Sequence, residues 1–388
     1  MSINIFSFLM AVLGFSVLVA ALTLLRRLTW FLVSFSILPL LFLIGISIFR
    51  LFVVTEFSFT SVIRSYVIFP AIMNFLAFPL FLLPNGYAFT VAQLLAVAWC
   101  VVAVFLIIRF AVNYSKFKKW VDSLPSVADT RLHNILYEIA GDSKYKSKIK
   151  ILSDDTIETP MISGFFHPVI FYPKLDLDEE QIRYVLHHEW NHFVQKDSWY
   201  KLVVHLICCI MWWNPVVYLL KRDLEHTLEL RCDLGIIADL SHEARKRYYD
   251  TIMDVYEHGV NRAPVNVSRF ASGFAKTCGG ALMKQRVNVG FSYDRKNISR
   301  RISSLFICAI ILIPFAVSFL FIVQPYTRPT QATDEEQYRV NDMINTETDS
   351  YLIYNDDGTY SLYLDGEYTA QIKNPDDPIL SSLPVVIK

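Results

Sequence analysis

The sequence lacks net charge, a disulfide pattern and a basic leader, and each absence removes a class of protein. Its 36 Lys and Arg residues are balanced by 36 Asp and Glu residues. Nothing in that balance draws the chain to nucleic acid in bulk, and direct nucleic-acid binding is not expected. The six cysteines, Cys100, Cys208, Cys209, Cys232, Cys278 and Cys308, avoid both the C-terminal tail and the loop near residues 55–90. Without paired cysteines in either segment there is no disulfide framework, and the thiols read as reduced, buried or cytoplasmic. Cys208 and Cys209 lie on an apolar run and read as packing residues. The first apolar run, about Ile3 to Leu25, is followed rather than preceded by the basic pair Arg26-Arg27. That order opposes a cleaved signal peptide and favours an uncleaved helix whose N-terminus lies outside.

What the sequence has is apolar length. Residues of hydrophobic type make up 54% of the chain, with 29 Phe, more than a soluble protein of 388 residues normally carries. Further runs follow at about Thr29 to Val54, Val91 to Val112 and Ile302 to Val323, each long enough to span a bilayer. Basic residues follow the first and third runs (Lys116, Lys118, Lys119) and precede the last (Arg295, Lys296, Arg300, Arg301). This positive-inside pattern predicts four transmembrane helices with both termini outside. Residues 1–113 then hold helices 1–3 and an outside loop at about 55–90, which Pro79 and Pro84 make interfacial or re-entrant. Residues 114–301 form a cytoplasmic domain, 302–324 the fourth helix, and 325–388 an acidic extracellular tail.

The chemistry centres on His187-His188-Glu189-Trp190-Asn191-His192, which contains H-E-x-x-H. On a helix, His188 and His192 share a face and can reach one zinc ion, with Glu189 beside its water. Asp176 or Asp178 can cap that helix, and acidic residues fill its first turn. Taken alone, two histidines on a polar helix face need no metal. A third ligand comes from the helical stretch Asp223 to Asp233: Glu229 is the choice, with Glu225 and His226 as rivals. Asp233, one turn on, suits a role behind a ligand imidazole or an Arg. Cys232 is a lesser ligand alternative, and pairing of Glu229 with Arg222 or Arg231 is the bland one. Asp197 is read as pairing with a basic neighbour or capping the zinc helix. The transition-state oxyanion needs a further donor, for which His226, Arg222, Tyr248 and Tyr249 are candidates.

Leu202 to Leu220 is nearly long enough to span. If it crossed, the histidines and Glu229 would lie on opposite sides, about 30 Å apart. It therefore reads as a helix and turn, broken at Pro215, that joins the two zinc-binding helices; His205 on it reads as packed. Upstream, Arg131 to Ala140 predicts a short helix, Lys148 to Leu152 a strand, and Thr159 to Pro173 an apolar β segment with an edge position at Pro168.

The stretch TPMISGFFHPVIFYPKLDLDEEQIRYVLHHEWNHFVQKD, followed by WWNPVVYLLKRDLEHTLELRCD, resembles the membrane-embedded metallopeptidase receptors of the BlaR/MecR type. The resemblance implies a gluzincin-like α+β zinc endopeptidase held between the third and fourth transmembrane helices. It implies an edge strand beside the zinc helix that takes up substrate as an added strand. The substrate would be a cytoplasmic transcriptional repressor or the chain itself, cut in response to an extracellular signal; a homodimer stays open. ALMKQRV resembles that family's basic helix ahead of the last span, and the Arg295 to Arg301 stretch is the guess for a self-cleavage site. The tail departs from the family. It has no Ser-x-x-Lys and no room for a penicillin-binding domain, and SYLIYNDDGTYSLYLDGEYTAQIK predicts instead a small β meander with turns at Asp357-Gly358 and Asp365-Gly366. Two other readings stand beside the receptor: a housekeeping membrane protease of the HtpX or prenyl-processing type, and a non-catalytic signalling scaffold.

Overall fold

The computed structural model describes residues 5–28, 31–32, 37–54, 60–65, 67–82, 88–126, 129–143, 145–154, 157, 159–261, 280–293, 309, 312–325, 350–355, 358–364, 367–373, 380, 383 and 385–387. The chain divides into two compact units, Met1–Val62 with Pro79–Ile322 and Ile63–Phe78 with Val323–Lys388.

The first unit begins with two apolar helices, α1 (Ile5–Arg26) and α2 (Ile37–Phe52). A hairpin of β1 (Pro79–Leu82) and β2 (Ala88–Thr90) leads into α3 (Val91–Ser123). Thr90 starts α3 with a capping box closed by Gln93. Among the described residues, α1 and α3 are long and apolar enough to cross a membrane. They differ in surroundings. Phe15, Leu18 and Leu22 of α1 are buried, whereas Leu94, Val97, Val101, Phe105 and Ile108 of α3 are exposed, the pattern expected of a face meant for lipid. Of the second predicted span, from Thr29, Phe31, Leu32 and Ile37–Phe52 are helical, while residues 29–30 and 33–36 lie outside the described residues. Of the fourth, residues 301–308 and 310–311 lie outside the described residues, and from Phe321 to Pro325 the chain is strand rather than helix. Its aromatic and β-branched residues favour extended backbone, and Pro325 cannot extend a helix.

Next come α4 (Thr130–Ala140), with Asp129 accepting from the Arg131 amide at its start, and a small sheet of β3 (Lys150–Leu152), β4 (Met161–Ser163) and β5 (Val169–Phe171). The strand order is β3-β5-β4, with β3 parallel and β4 antiparallel to the centre, so β4 is an edge. Gly164, at φ +110°, makes the β4–β5 turn; a Cβ there would sit 2.0 Å from the His167 carbonyl oxygen.

The helical core follows: α5 (Glu179–Val194), α6 (Asp197–Ile210), α7 (Val216–Ile237), α8 (His242–Asn261) and α9 (Gly280–Phe291). Asp178 caps α5, accepting from the Gln181 amide at 2.9 Å while Gln181 returns the bond to Asp178; Glu179 and Glu180 complement the helix dipole. Between α6 and α7, Asn214 accepts from the Val216 amide and donates to Ser16 of α1. The Leu202–Leu220 segment thus folds back as helix, turn and helix. One apolar core joins α1, α2 and α7 through residues such as Phe15, Leu43, Leu220 and Leu228; another joins α4, the sheet and α5 through Leu136, Ile151, Ile170 and Trp190. Cys100, Cys208, Cys209 and Cys232 are free thiols; Cys278 and Cys308 lie outside the described residues.

The second unit contains the helix Ile68–Ala77 and a four-stranded sheet of Tyr351–Tyr354, Tyr360–Leu364, Glu367–Ile372 and Val385–Ile387. The first three form the predicted antiparallel meander; the last pairs in parallel with Tyr351–Tyr354. Gly358 takes φ +78° in the first turn, while Asp357, Asp365 and Gly366 lie outside the described residues.

Candidate metal centre

His188 and His192 lie one turn apart on α5, both buried, and their Nε2 atoms are 3.2 Å from each other. Glu229 of α7 brings Oε2 to 3.3 Å from His188 Nε2 and Oε1 to 3.5 Å from His192 Nε2. Three donors 2.0–2.2 Å from a tetrahedral zinc stand about 3.3 Å from one another. With a Glu229 oxygen beside each imidazole and one ligand atom of each residue within 4.8 Å of the others, the three side chains could hold one ion. Glu189, next to His188, lies in the wall of the same cavity.

The groups behind the ligands fix their tautomers. Asp197 Oδ2 is 2.6 Å from His192 Nδ1, and Asp197 also pairs with Arg231. Tyr248 Oη is 2.9 Å from His188 Nδ1 and donates to Asp233 Oδ1 at 2.7 Å. Each imidazole thus uses Nδ1–H for an acceptor and leaves an Nε2 lone pair that could bind an ion. Asp233 in turn receives Arg286 at 2.7 and 2.8 Å. Without metal, burial opposes charge on His188, but its bonds to Asp233 and Glu229 win and hold its pKa up to about 10. Burial likewise opposes the Glu229 carboxylate, yet His192 and Arg286 hold it well below the usual range. Cys232 Sγ is 3.2 Å from Nδ1 of His192, the side that faces Asp197, and burial keeps its thiol protonated. Cys232, His192 and Asp197 form a second grouping of metal-ligating types, but His192 Nδ1 already serves Asp197 there.

A cavity of about 500 Å³ opens over these residues. Phe110 and Tyr114 of α3, the edge strand Met161–Ser163, and Lys201 and His205 of α6 help to line it. His205 packs there on Phe110, with ring centroids 4.4 Å apart.

The oxyanion candidates separate. Arg222 lines the cavity. His226 also lines it, but Nδ1 accepts from Arg26 at 2.8 Å and Nε2 is 3.4 Å from the Leu282 carbonyl oxygen. Burial, with Arg26 and Arg286 near, pushes its pKa down to about 3 and leaves it neutral. Tyr248 is fully buried and committed to His188 and Asp233, so it supports a ligand rather than facing a substrate. Tyr249 is buried against Gly290, away from the cavity lining. Of the rival ligands, Glu225 and His226 line the cavity but stand outside the His188–His192–Glu229 cluster.

Sequence reasoning missed three residues. Arg26 reads from the sequence as a topology marker and Arg286 as part of a basic helix ahead of the last span, yet both are buried against carboxylates of α7, Arg26 on Asp223 and Arg286 on Asp233. Tyr248 was noticed, for a different role. The signal for Arg286 was its place in ALMKQRV, the stretch likened to a basic helix ahead of the last span.

A profile of the BlaR1 peptidase M56 family matches residues 26–278. The regulatory protein BlaR1 of Staphylococcus aureus is 22% identical over 298 residues, covering 69% of this chain and 49% of its own. The methicillin resistance mecR1 protein of Staphylococcus aureus strain Mu50 is 23% identical over 233 residues, covering 58% of this chain and 38% of its own. The BlaR1 of Bacillus licheniformis is 26% identical over 152 residues, covering 38% and 25%. The chain spans about half the length, or less, of these relatives.

Proposed function

The chain belongs to the BlaR1 peptidase M56 family, and on that basis we propose that it is a membrane-integrated zinc endopeptidase acting as a signal transducer. The observation that carries this reading is the spacing of His188, His192 and Glu229, with donor atoms 3.2 to 3.5 Å apart. These three residues would hold the ion; when bound, zinc polarises the scissile carbonyl and lowers the pKa of a water. Glu189 accepts a proton in the cavity and passes it to the leaving amine. Asp197 and Tyr248 keep the imidazoles oriented. The edge strand Met161–Ser163, which lines the cavity, aligns the substrate as an added strand. Arg222 is the remaining candidate for a donor to the oxyanion.

The proposed topology keeps four membrane helices, residues 114–301 inside and 325–388 outside. The exposed apolar face of α3 supports it, as do the basic residues Lys116, Lys118 and Lys119 at the end of that helix. The substrate is proposed to be a cytoplasmic repressor or the chain itself. The relatives, a regulatory protein and a methicillin resistance protein, favour this over a housekeeping protease.

The test compares the full chain in detergent with Glu189→Gln and Glu229→Ala. Wild type carries about one zinc and cuts itself or a co-expressed repressor. Glu189→Gln retains zinc without cleavage, and Glu229→Ala loses zinc. Normal zinc binding by Glu229→Ala would falsify the site.

A further inference from the structure

Helix α9 follows the residues matched by the family profile, 26–278, and delivers a guanidinium into the metal centre. Arg286 is 5% exposed. Its Nε and Nη2 grip the two oxygens of Asp233 at 2.7 and 2.8 Å, and its Nη1 is 3.3 Å from Glu229 Oε2. Asp233 is itself fully buried and receives the Tyr248 hydroxyl that orients His188. One side chain thus touches a ligand carboxylate directly and controls a ligand imidazole through two intermediates.

Resting on the zinc reading above, we propose that Arg286 is a positioning residue for the metal centre, setting the orientation of Glu229 and, through Asp233 and Tyr248, of His188. Charge alone does not explain its placement. The guanidinium bonds both oxygens of Asp233 at once while its third nitrogen reaches Glu229, a geometry that a point charge does not reproduce. What is lost with the arginine is the two-pronged grip, which arginine makes and lysine cannot. The same turn of α9 holds neighbouring elements: Gln285 Nε2 donates to the Arg26 carbonyl at 3.0 Å, and the Leu282 carbonyl oxygen is 3.4 Å from His226 Nε2. The helix is therefore seated independently of Arg286, so a substitution of this one residue can be read.

The experiment uses the full chain in detergent, as wild type, Arg286→Lys and Asp233→Asn. Three quantities are measured: the melting temperature of the metal-free protein, zinc affinity by competition with a chelator, and the visible absorption of the cobalt-substituted site. Arg286→Lys keeps the charge and the fold; its zinc affinity falls by about 10- to 100-fold, as for other groups that orient ligands, and its cobalt spectrum changes. Asp233→Asn removes the other half of the grip and gives the same losses. A folded variant of either kind with wild-type affinity and spectrum overturns the role of Arg286. Wild type that binds neither zinc nor cobalt overturns the metal reading itself, and the two failures are told apart by that control.

Discussion

Arg26, the last residue of the first apolar helix, forms an ion pair with Asp223 on the helix that carries Glu229, and the two side chains are 3% and 5% exposed. The guanidinium also donates to His226 Nδ1 at 2.8 Å. A residue expected to mark the membrane surface is thus built into the element that bears the metal centre.

Removing one partner of such a pair leaves a buried charge without compensation, which costs about 3–5 kcal/mol. Arg26→Met and Asp223→Leu should each lower stability by that order in denaturant titration of the detergent-solubilised protein. The double variant, which removes both charges, should recover most of the loss. Additive losses would mean that the two residues do not act as a pair.

Asp197 serves two donors of the site, His192 Nδ1 and the Arg231 guanidinium. Asp197→Ala should weaken zinc binding by about 10- to 100-fold and destabilise the fold as well, because Arg231 is left beside an empty position. Asp197→Asn should retain part of the zinc affinity, since its carbonyl oxygen can still accept from Nδ1. A chelator-competition titration separates the two variants; equal affinities would show that the acceptor at Nδ1 does not matter.

Gly290 lies on α9 where a Cβ would meet the Tyr249 hydroxyl at 1.9 Å and its ring at 2.4 Å. Gly290→Ala must push α9 away from α8, at a cost of about 1–3 kcal/mol for overpacking, and should carry Arg286 out of register with Asp233. Gly280→Ala, at the start of the same helix, meets nothing within 4 Å. It should leave thermal stability and zinc affinity near wild type. A Gly290→Ala protein with unchanged melting temperature would contradict the packing of these two helices.

The legible part of this molecule was written in short spacings. H-E-x-x-H needs only an i, i+4 relation on one helix, and Asp178 caps that helix through a residue three positions on. Glu229 and Asp233 share a face four residues apart, and both stand where that spacing put them, Glu229 at the histidines and Asp233 behind His188. That the histidines and Glu229 must lie on one side of a membrane, with Pro215 to break the helix, was enough to read Leu202 to Leu220 as turning back. Arg26 and Arg286 left no such trace. Each meets its carboxylate across a long sequence separation, 197 residues for Arg26 and 53 for Arg286. A basic residue beside an apolar run has the same local signature whether it faces lipid headgroups or a buried aspartate. Tyr248 was misassigned for a related reason: its residue type suits either a substrate or an imidazole, and only the packing of α8 on α5 decides.

Chelation should weaken the fold without unfolding it. The donors of the centre are held by protein groups, His192 by Asp197 at 2.6 Å and His188 by Tyr248 at 2.9 Å, and both histidines sit on a helix with its own cap and core. The site therefore exists before the ion arrives, unlike small zinc modules that fold only on binding. Binding to the native state alone should add about 2.7 kcal/mol when free zinc exceeds its dissociation constant a hundredfold. The melting temperature of wild type should rise with zinc and fall with chelator, while the helical circular dichroism stays constant at room temperature. Glu189→Gln should keep the zinc-dependent rise and Glu229→Ala should lose it. Loss of helical signal on chelation would mean that the ligands are brought together by the ion, and that the buried partners of His188 and His192 do not hold them unaided.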